Sequence, residues 1–300
     1  MIRYRFSMMQ LALCLGAFLA GAFPARAGEQ NSTAERPAVL GDVSREWDLQ
    51  AMVGHLPAAD FHNRPGDVSV TDYRLKVART FKLSSQFSMT LGGGYGLKTV
   101  DAPADEALPR ELHGLFLEAG GRYRINDRSF VSLRLFPGLY GDFRESASDT
   151  LRMPVLALGG YRFDNGISLV GGFIYRFGYH SARFIPALGV SYQPNDNWRL
   201  DLVAPRPSVT WLTSQQLQLF VAGDFASDEY EIKDTFGANA MKYSDYKVMG
   251  GVGYLPVPGV KVTTAVGYAF DRKFVFYGGN RNDFRVDDVP FVKVSLDLGW

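Results

Sequence analysis

The last eleven residues of the chain alternate strictly between two kinds of position. Val292, Val294, Leu296, Leu298 and Trp300 share one parity, and mostly polar or small residues occupy the other. Successive side chains of a β-strand point to opposite faces, so this pattern predicts a strand with one apolar face. A terminal aromatic on such a strand is typical of a barrel that closes in a membrane, where the ring lies at the lipid–water boundary.

Similar alternation recurs upstream. It covers residues 47–53, 73–77, 87–95, 115–123, 131–135, 153–163, 167–179, 184–192, 198–202, 208–212, 217–225, 246–254 and 260–270. With the terminal strand, these stretches predict an all-β fold: a transmembrane, antiparallel, up-and-down β-barrel of about fourteen strands. The stretch at 208–212 is the weakest because Pro205 and Pro207 closely precede it, so twelve strands is the fallback.

Short and long joins alternate between these stretches. The short joins lie near residues 84–85, 126–128, 164–166, 194–196, 213–214 and 256–259. The longer polar joins cover residues 55–67, 98–110, 141–150, 227–244 and 271–289. Barrels of the outer membrane have short periplasmic turns and longer external loops. We therefore expect both ends of the barrel on the periplasmic side and the long joins outside the cell.

The terminal strand resembles that of bacterial outer-membrane β-barrel proteins, in which apolar residues occupy every second position back from a C-terminal aromatic. In that class the strand is the assembly signal for the barrel-insertion machinery. The resemblance implies this role for Val292, Val294, Leu296, Leu298 and Trp300. The rest of the chain resembles an uncharacterised family of such barrels, a domain of unknown function. The resemblance therefore implies a fold and a location, but no substrate.

The beginning of the chain predicts export. Arg3 and Arg5 precede an apolar run over residues 6–23, and Pro-Ala-Arg-Ala follows at 24–27. This order is typical of a secretory signal peptide. We expect a cleaved signal over residues 1–27, a flexible periplasmic lead over 28–43 and an outer-membrane barrel over 44–300, in a Gram-negative bacterium. Cys14, the only cysteine, would leave with the signal.

Charge and spacing argue against several other functions. The net charge of +1 gives no indication of a nucleic-acid partner. Asp283, Asp287 and Asp288 match no calcium-loop spacing, so we expect no metal and no cofactor. His180 and Ser181 resemble a hydrolase pair in composition only, because adjacent strand residues point to opposite faces. We expect no catalytic residues and no enzyme; the expected partners are outer-membrane lipid and the barrel-assembly machinery.

Charged residues cluster on the inward parity. An Arg or Lys on the lipid face costs about 2–4 kcal/mol at mid-depth, so we expect these side chains in the lumen. The candidates are Arg74, Lys76, Glu118, Arg122, Arg124, Arg134, Arg152, Arg162 and Arg176. They either form a cationic constriction that favours anions or pair with carboxylates to brace a filled lumen.

Apolar residues share that inward parity: Phe116, Phe130, Leu156, Leu158, Val170 and Ile174. They would form an internal plug, line a path for an apolar molecule, or mark register shifts at bulges. Aromatics of the opposite parity near strand ends favour a membrane barrel over a soluble one. They are Trp47, Tyr73, Tyr95, Tyr123, Tyr161, Tyr179, Tyr254, Tyr268 and Trp300.

Two classes of function fit these patterns. The first is a pore or transport barrel for small solutes with an Arg-rich lumen. The alternative is a closed barrel with a structural or adhesive role through its external loops, or an outer-membrane lipid hydrolase. The sequence specifies no solute.

Overall fold

A computed structural model describes residues 46–62, 64–144, 150–225, 227–233 and 236–300. The predicted signal peptide (1–27) and lead (28–43) lie outside the described residues. One sheet of seventeen strands closes on itself because β1 pairs with both β2 and β17. Among the described residues, no helix combines the length and apolar character needed to span a bilayer.

The strands are β1 (Trp47–Asp60), β2 (Asp67–Lys82), β3 (Phe87–Asp101), β4 (Glu111–Arg124), β5 (Ser129–Leu135), β6 (Gly138–Gly141), β7 (Leu151–Arg162), β8 (Ile167–Phe177), β9 (Phe184–Asn195), β10 (Trp198–Val203), β11 (Ser208–Leu212), β12 (Leu217–Asp224), β13 (Ser227–Glu231), β14 (Ala240–Val257), β15 (Val260–Tyr277), β16 (Phe284–Val286) and β17 (Val289–Gly299). A 3₁₀ helix, Ala104–Glu106, lies between β3 and β4.

Three wall strands are interrupted, so the seventeen strands form a wall of fourteen. β5 and β6 both pair with β4 and β7, β12 and β13 both pair with β14, and β16 and β17 both pair with β15. The prediction of a closed antiparallel barrel with fourteen strands is confirmed.

The two ends of the barrel differ. The backbone N–H groups of Glu46 and Trp47 donate to the carbonyl of Trp300, so both termini of the wall lie at one end, here called the terminal end. Short turns connect strands there. The opposite end, the loop end, carries the described residues between the other strand ends: 61–62, 64–66, 102–110, 142–144, 150, 178–183, 204–207, 232–233, 236–239 and 278–283.

The outer face is apolar between two belts of aromatic side chains. The terminal-end belt contains Phe87, Tyr123, Tyr161, Trp198, Trp211, Tyr254 and Trp300, and the loop-end belt contains Tyr95, Phe177, Phe184, Phe225, Tyr246 and Tyr268. On β3 and on β14 the two belts are eight residues apart. That step spans roughly 20–26 Å, depending on strand tilt, and matches the apolar band of membrane barrels.

Tyr179 does not belong to the loop-end belt. Its side chain is buried, and its ring contacts Arg176 at 3.9 Å. The expectation of an outward position was wrong because β8 ends at Phe177, so the alternation no longer sets the direction of Tyr179.

The barrel narrows at the loop end because β13 changes one neighbour. On one edge β13 continues the pairing of β12 with β14 in the same register. On the other edge, β11 begins only at Ser208 and does not extend as far toward the loop end as β13. β13 therefore has a different neighbour there and pairs in parallel with β6 through Glu231 and Gly141. β16 borders the end of β1 through Phe61 and Val286. A ring of nine strand segments results, from β1–β4, β6 and β13–β16; we call it the neck.

Apolar side chains fill the neck. The ring of Phe284 packs against those of Phe61 and Phe274, each with centroids 5.2 Å apart. The buried residues around them include Leu56, Val68, Val70, Val100, Leu112, Tyr230, Met241, Tyr243 and Phe276. A packed core of this kind leaves no axial channel through the described part of the neck.

The neck corrects the predicted long joins. Residues 55–67, 227–244 and 271–289 were expected to be external loops, but most of them belong to β1, β13, β14, β15 and β16. Met241 and Tyr243 are buried. The many polar residues of these segments suggested loops. They are present because the strands face the neck core on one side and charged partners on the other.

Candidate functional site

One ion-pair network crosses the wall below the neck. Glu118 on β4 has a fully buried side chain that receives Lys76 Nζ at 2.7 Å and Arg134 Nη1 at 3.5 Å. Lys76 reaches it across β3, where Gly92 and Gly94 present no side chain to the lumen. A buried carboxylate is stable here because two cations flank it.

A second network lies directly beneath the neck. Arg74 Nη2 contacts Asp72 Oδ2 at 3.0 Å and Asp228 Oδ2 at 2.9 Å. Lys98 Nζ contacts the same two carboxylates, at 3.3 Å and 4.0 Å. This network ties β13 of the neck to the wall strands β2 and β3.

A third network joins the neck to the ends of β7–β9, along a boundary that we call the seam. Arg152, almost fully buried, donates from Nη2 to Glu231 Oε2 at 2.8 Å, and its Nε lies 3.8 Å from Glu229 Oε1. The backbone N–H of His180 donates to Glu229 Oε1 at 2.9 Å, and Ser181 Oγ donates to Glu229 Oε2 at 3.2 Å. The seam is therefore held by charge-assisted contacts.

Glu229 lies in the neck, beyond the apolar band of the wall. Burial by itself would raise the pKa of Glu229, but hydrogen bonds from the backbone and ring of His180 and from the backbone of Ser181 lower it below its usual value. The carboxylate is thus ionised at neutral pH and available to Arg152.

The remaining candidates lie apart from these networks. Arg122 stacks over the Phe130 ring at 4.1 Å, and Arg176 stacks over Tyr179 at 3.9 Å. Arg124, whose Nη2 donates to the carbonyl of Ser85 at 2.8 Å, and Arg162 are exposed near the terminal end. The structure therefore brings four of the candidate cations together with carboxylates, namely Arg74, Lys76, Arg134 and Arg152, and places Arg122 and Arg176 against aromatic rings.

Inward-facing rings lie along the wall. A Cβ placed on Gly94 would come within 2.5 Å of the Phe116 ring, and one on Gly160 within 2.2 Å of the Phe130 ring. Glycine is required at both positions because the rings occupy the side-chain space. Phe116 and Phe130 thus line the wall, and the plugging core lies higher, in the neck.

The residues considered for hydrolysis meet on one carboxylate. His180 Nδ1 lies 2.9 Å from Glu229 Oε1, and the Ser181 hydroxyl donates to the other oxygen of Glu229. The hydroxyl therefore bonds to the carboxylate and not to the imidazole that would have to act as its base. Within the described ranges, no cluster of three metal-ligating side chains forms.

Asp228, Glu229, Glu231 and Lys242 were not among the candidates because residues 227–244 were expected to be a loop. The alternation of Met241 and Tyr243 with polar neighbours could have indicated a strand there. The partners across the barrel could not have been found in this way, since they depend on the β6–β13 contact.

This fold is that of the bacterial outer-membrane β-barrels. Comparison with protein-family models gave no match, and comparison with curated proteins gave none. Among solved structures, the chain is similar to an outer membrane channel from Pseudomonas putida F1, with a TM-score of 0.50 and 10% identity over 88% of this chain and 99% of that one.

It is also similar to the deltaS2 mutant of the TodX monoaromatic hydrocarbon channel, with a TM-score of 0.52 and 9% identity over 85% of this chain and 90% of that one. At such low identity, these likenesses show the fold alone.

Proposed function

We propose that the chain is a transport barrel of the outer membrane that passes small solutes. The supporting observation is the water-accessible charge inside the wall. Arg74, Lys76 and Arg134 face inward by register, yet their side chains are 38%, 28% and 39% exposed. Eight-stranded barrels are just filled by side chains, and fourteen strands enclose a wider interior.

The location follows from the outer face. The two aromatic belts and the apolar band between them suit a bilayer, and the export pattern at the start of the chain suits the outer membrane. In this orientation the terminal end, with its short turns, faces the periplasm. The loop end and the neck face the outside of the cell.

The route we propose runs from the terminal end into the lumen and then past the side of the neck. The neck core blocks the axis, and the neck meets the ends of β7–β9 through the polar contacts of the seam and through the stacking of His180 on Tyr277. Polar contacts of this kind are exchanged for water more readily than a packed apolar core. We therefore place the route at the seam, where passage exchanges polar contacts for water instead of opening the apolar core.

The anion preference expected from the lumen is weaker than the number of arginines suggests. Arg74, Lys76 and Arg134 are paired with Asp72, Asp228 and Glu118, so their fields partly cancel. These pairs also favour the second candidate, a barrel braced from inside that acts through its loop end. We keep transport as the proposal because the pairs are partly exposed to water within the barrel.

Conductance across planar bilayers tests transport. Refolded wild-type protein and the double variant Glu229→Gln/Glu231→Gln, which weakens the seam, are compared after both are shown to be heat-modifiable and protease-resistant. We expect discrete conductance steps, larger or more frequent in the variant. If both folded proteins are silent, the barrel is closed and the transport proposal is wrong.

A further inference from the structure

We call the part of the seam between the neck and the ends of β8 and β9 the crevice. Lys242 on β14 and Tyr277 on β15 form its neck side, and Arg176 and Tyr179 at the end of β8 form its wall side. His180 joins the two sides, because its ring stacks on Tyr277 with centroids 5.2 Å apart and an angle of 10°.

Arg176 is a buried cation that forms no ion pair with a carboxylate of the described residues. Its residue exposure is 6%, and its guanidinium lies over the Tyr179 ring at 3.9 Å. Its Nη2 is buried with no hydrogen-bond partner among the described residues. A buried guanidinium is costly unless an anion compensates it, and an aromatic face compensates only part of that cost.

Lys242 adds a second positive charge to the crevice. It lies in the neck beyond the apolar band. Its pKa is lowered by burial and by the neighbouring charges of Arg176 and Lys273, which outweigh the opposite effect of Glu229 on β13. Lys273 is neutralised by Asp271, 2.8 Å away. Among the described residues, Lys242 has no carboxylate oxygen within the 4.0 Å of an ion pair.

The nearby carboxylates are engaged elsewhere. Glu229 accepts hydrogen bonds from His180 and Ser181, and Glu231 accepts from Arg152. The crevice therefore holds two cationic groups, neither of which forms an ion pair with a described carboxylate. Glu229 lies opposite Lys242 on β13, but its oxygens are held by His180, Ser181 and Arg152. Arginine and lysine together, one forked and one a compact charge, are the usual protein ligands of carboxylates and phosphates.

We propose that the crevice binds an anionic group, a carboxylate or a phosphate, between Arg176 and Lys242. Tyr179 and Tyr277 flank the site with ring faces, which suits an organic anion. The proposal deepens the transport function proposed above, because it places a recognition site beside the route past the neck. The anion comes either from a soluble solute or from the phosphate of an outer-leaflet lipid.

Binding to refolded, lipopolysaccharide-free protein in detergent tests the site. The probes are sodium benzoate and inorganic phosphate, with neutral benzamide as the control, measured by isothermal titration calorimetry. We expect saturable binding of benzoate or phosphate and none of benzamide. The double variant Arg176→Gln/Lys242→Gln should weaken binding at least about tenfold, since it removes two charge-assisted contacts.

Matched variants separate this effect from general loss of charge or of fold. Lys82→Gln/Arg128→Gln removes two exposed cations at the terminal end and should leave the affinity unchanged. Arg176→Lys and the single change Lys242→Gln preserve more of the site and should give intermediate affinities in folded protein. Equal affinity in wild type and the Arg176→Gln/Lys242→Gln variant, or no binding of either anion by folded wild type, would overturn the proposal.

The source of the anion is distinguished by repeating the titration after loading the protein with lipopolysaccharide. Exclusion of both probes assigns the site to a lipid phosphate, and undiminished binding assigns it to a soluble anion. Conductance of the same preparations separates the two proposals. If the folded protein conducts but binds no anion, the anion site is wrong and the transport function stands. If it binds anions but does not conduct, the transport function is wrong and the anion site stands.

Discussion

Arg152 and Glu231 join the wall to the neck across the seam, with Arg152 Nη2 2.8 Å from Glu231 Oε2. They lie on strands that are not neighbours in the fourteen-stranded wall. The pair forms because β13 extends past the end of β11 and contacts β6. This contact places the carboxylates of β13 over the inner face of β7. It fixes the distance between the two parts of the loop end.

Weakening this junction should loosen the barrel locally. Glu229→Gln/Glu231→Gln removes both carboxylates that face Arg152, and breaking a buried pair from one side costs about 3–5 kcal/mol. Folding free energy in lipid vesicles, followed by tryptophan fluorescence, should fall by about that amount. As a control, Asp164→Asn removes the exposed partner of Arg128 and should cost less than about 1 kcal/mol. Equal losses of folding free energy in the two variants would show that the seam pairs stabilise the barrel no more than an exposed ion pair does.

Trp300 should be needed for assembly. Its ring stacks on Trp47 of the first strand, with centroids 6.3 Å apart, where the last strand closes the wall. Trp300→Asp places a charge at the terminal-end belt and should lower the amount of heat-modifiable protein in the outer membrane. Trp300→Phe keeps an aromatic and should preserve it. If the Trp300→Asp variant reaches wild-type amounts of folded protein in the outer membrane, Trp300 is not needed for assembly.

Single cysteines should report the orientation. The chain beyond residue 27 contains no cysteine, so a membrane-impermeant maleimide would label only the introduced thiol. Asn280→Cys at the loop end should react in intact cells, and Asn126→Cys at the terminal end only after permeabilisation; both positions are exposed.

Met241→Cys tests the neck in the same assay. It lies within the segment 227–244 that was expected to be a loop, but it is fully buried in the neck core. It should stay unlabelled in intact and in permeabilised cells and react only after denaturation. Rapid labelling of this thiol in intact cells would mean that the neck is open at the surface.

Lumen charge should set ion preference if solutes pass the networks below the neck. Arg122→Glu/Arg134→Glu replaces two inward cations, so the reversal potential should move toward cations. Fixed charge acts over about 8 Å at physiological salt, and the shift should shrink in high salt. Lys82→Glu/Arg128→Glu at the terminal end should give a smaller shift. A folded Arg122→Glu/Arg134→Glu protein with unchanged selectivity would mean that these arginines only brace the wall.

Local alternation was enough to predict a closed barrel of fourteen wall strands. The count follows from the two-residue period of a strand, which needs no knowledge of partners. The weak stretch at Ser208–Leu212 is a genuine strand despite the prolines before it. Even the short turns were placed correctly, because turn residues act over a few positions.

The neck and its networks were not predictable in this way. The contact of Glu231 with Gly141 is parallel and joins segments far apart in the chain, and no local pattern encodes such a pairing. The charges on residues 227–244 looked like those of a solvated loop. Their partners, such as Arg152 for Glu231, lie on other strands and were recognisable only once the closure was known.

β12 and β13 keep a single register with β14, while their other edge passes from β11 to β6. The cover over the lumen is thus bonded to β14 in the same register as the wall. Widening the seam means displacing β13, which is hydrogen-bonded along its length to β14. Such a movement is a small, cooperative distortion of the sheet and not the movement of a free loop. If solutes pass the seam as proposed, the size of the side chains along β13 would set the largest solute that passes.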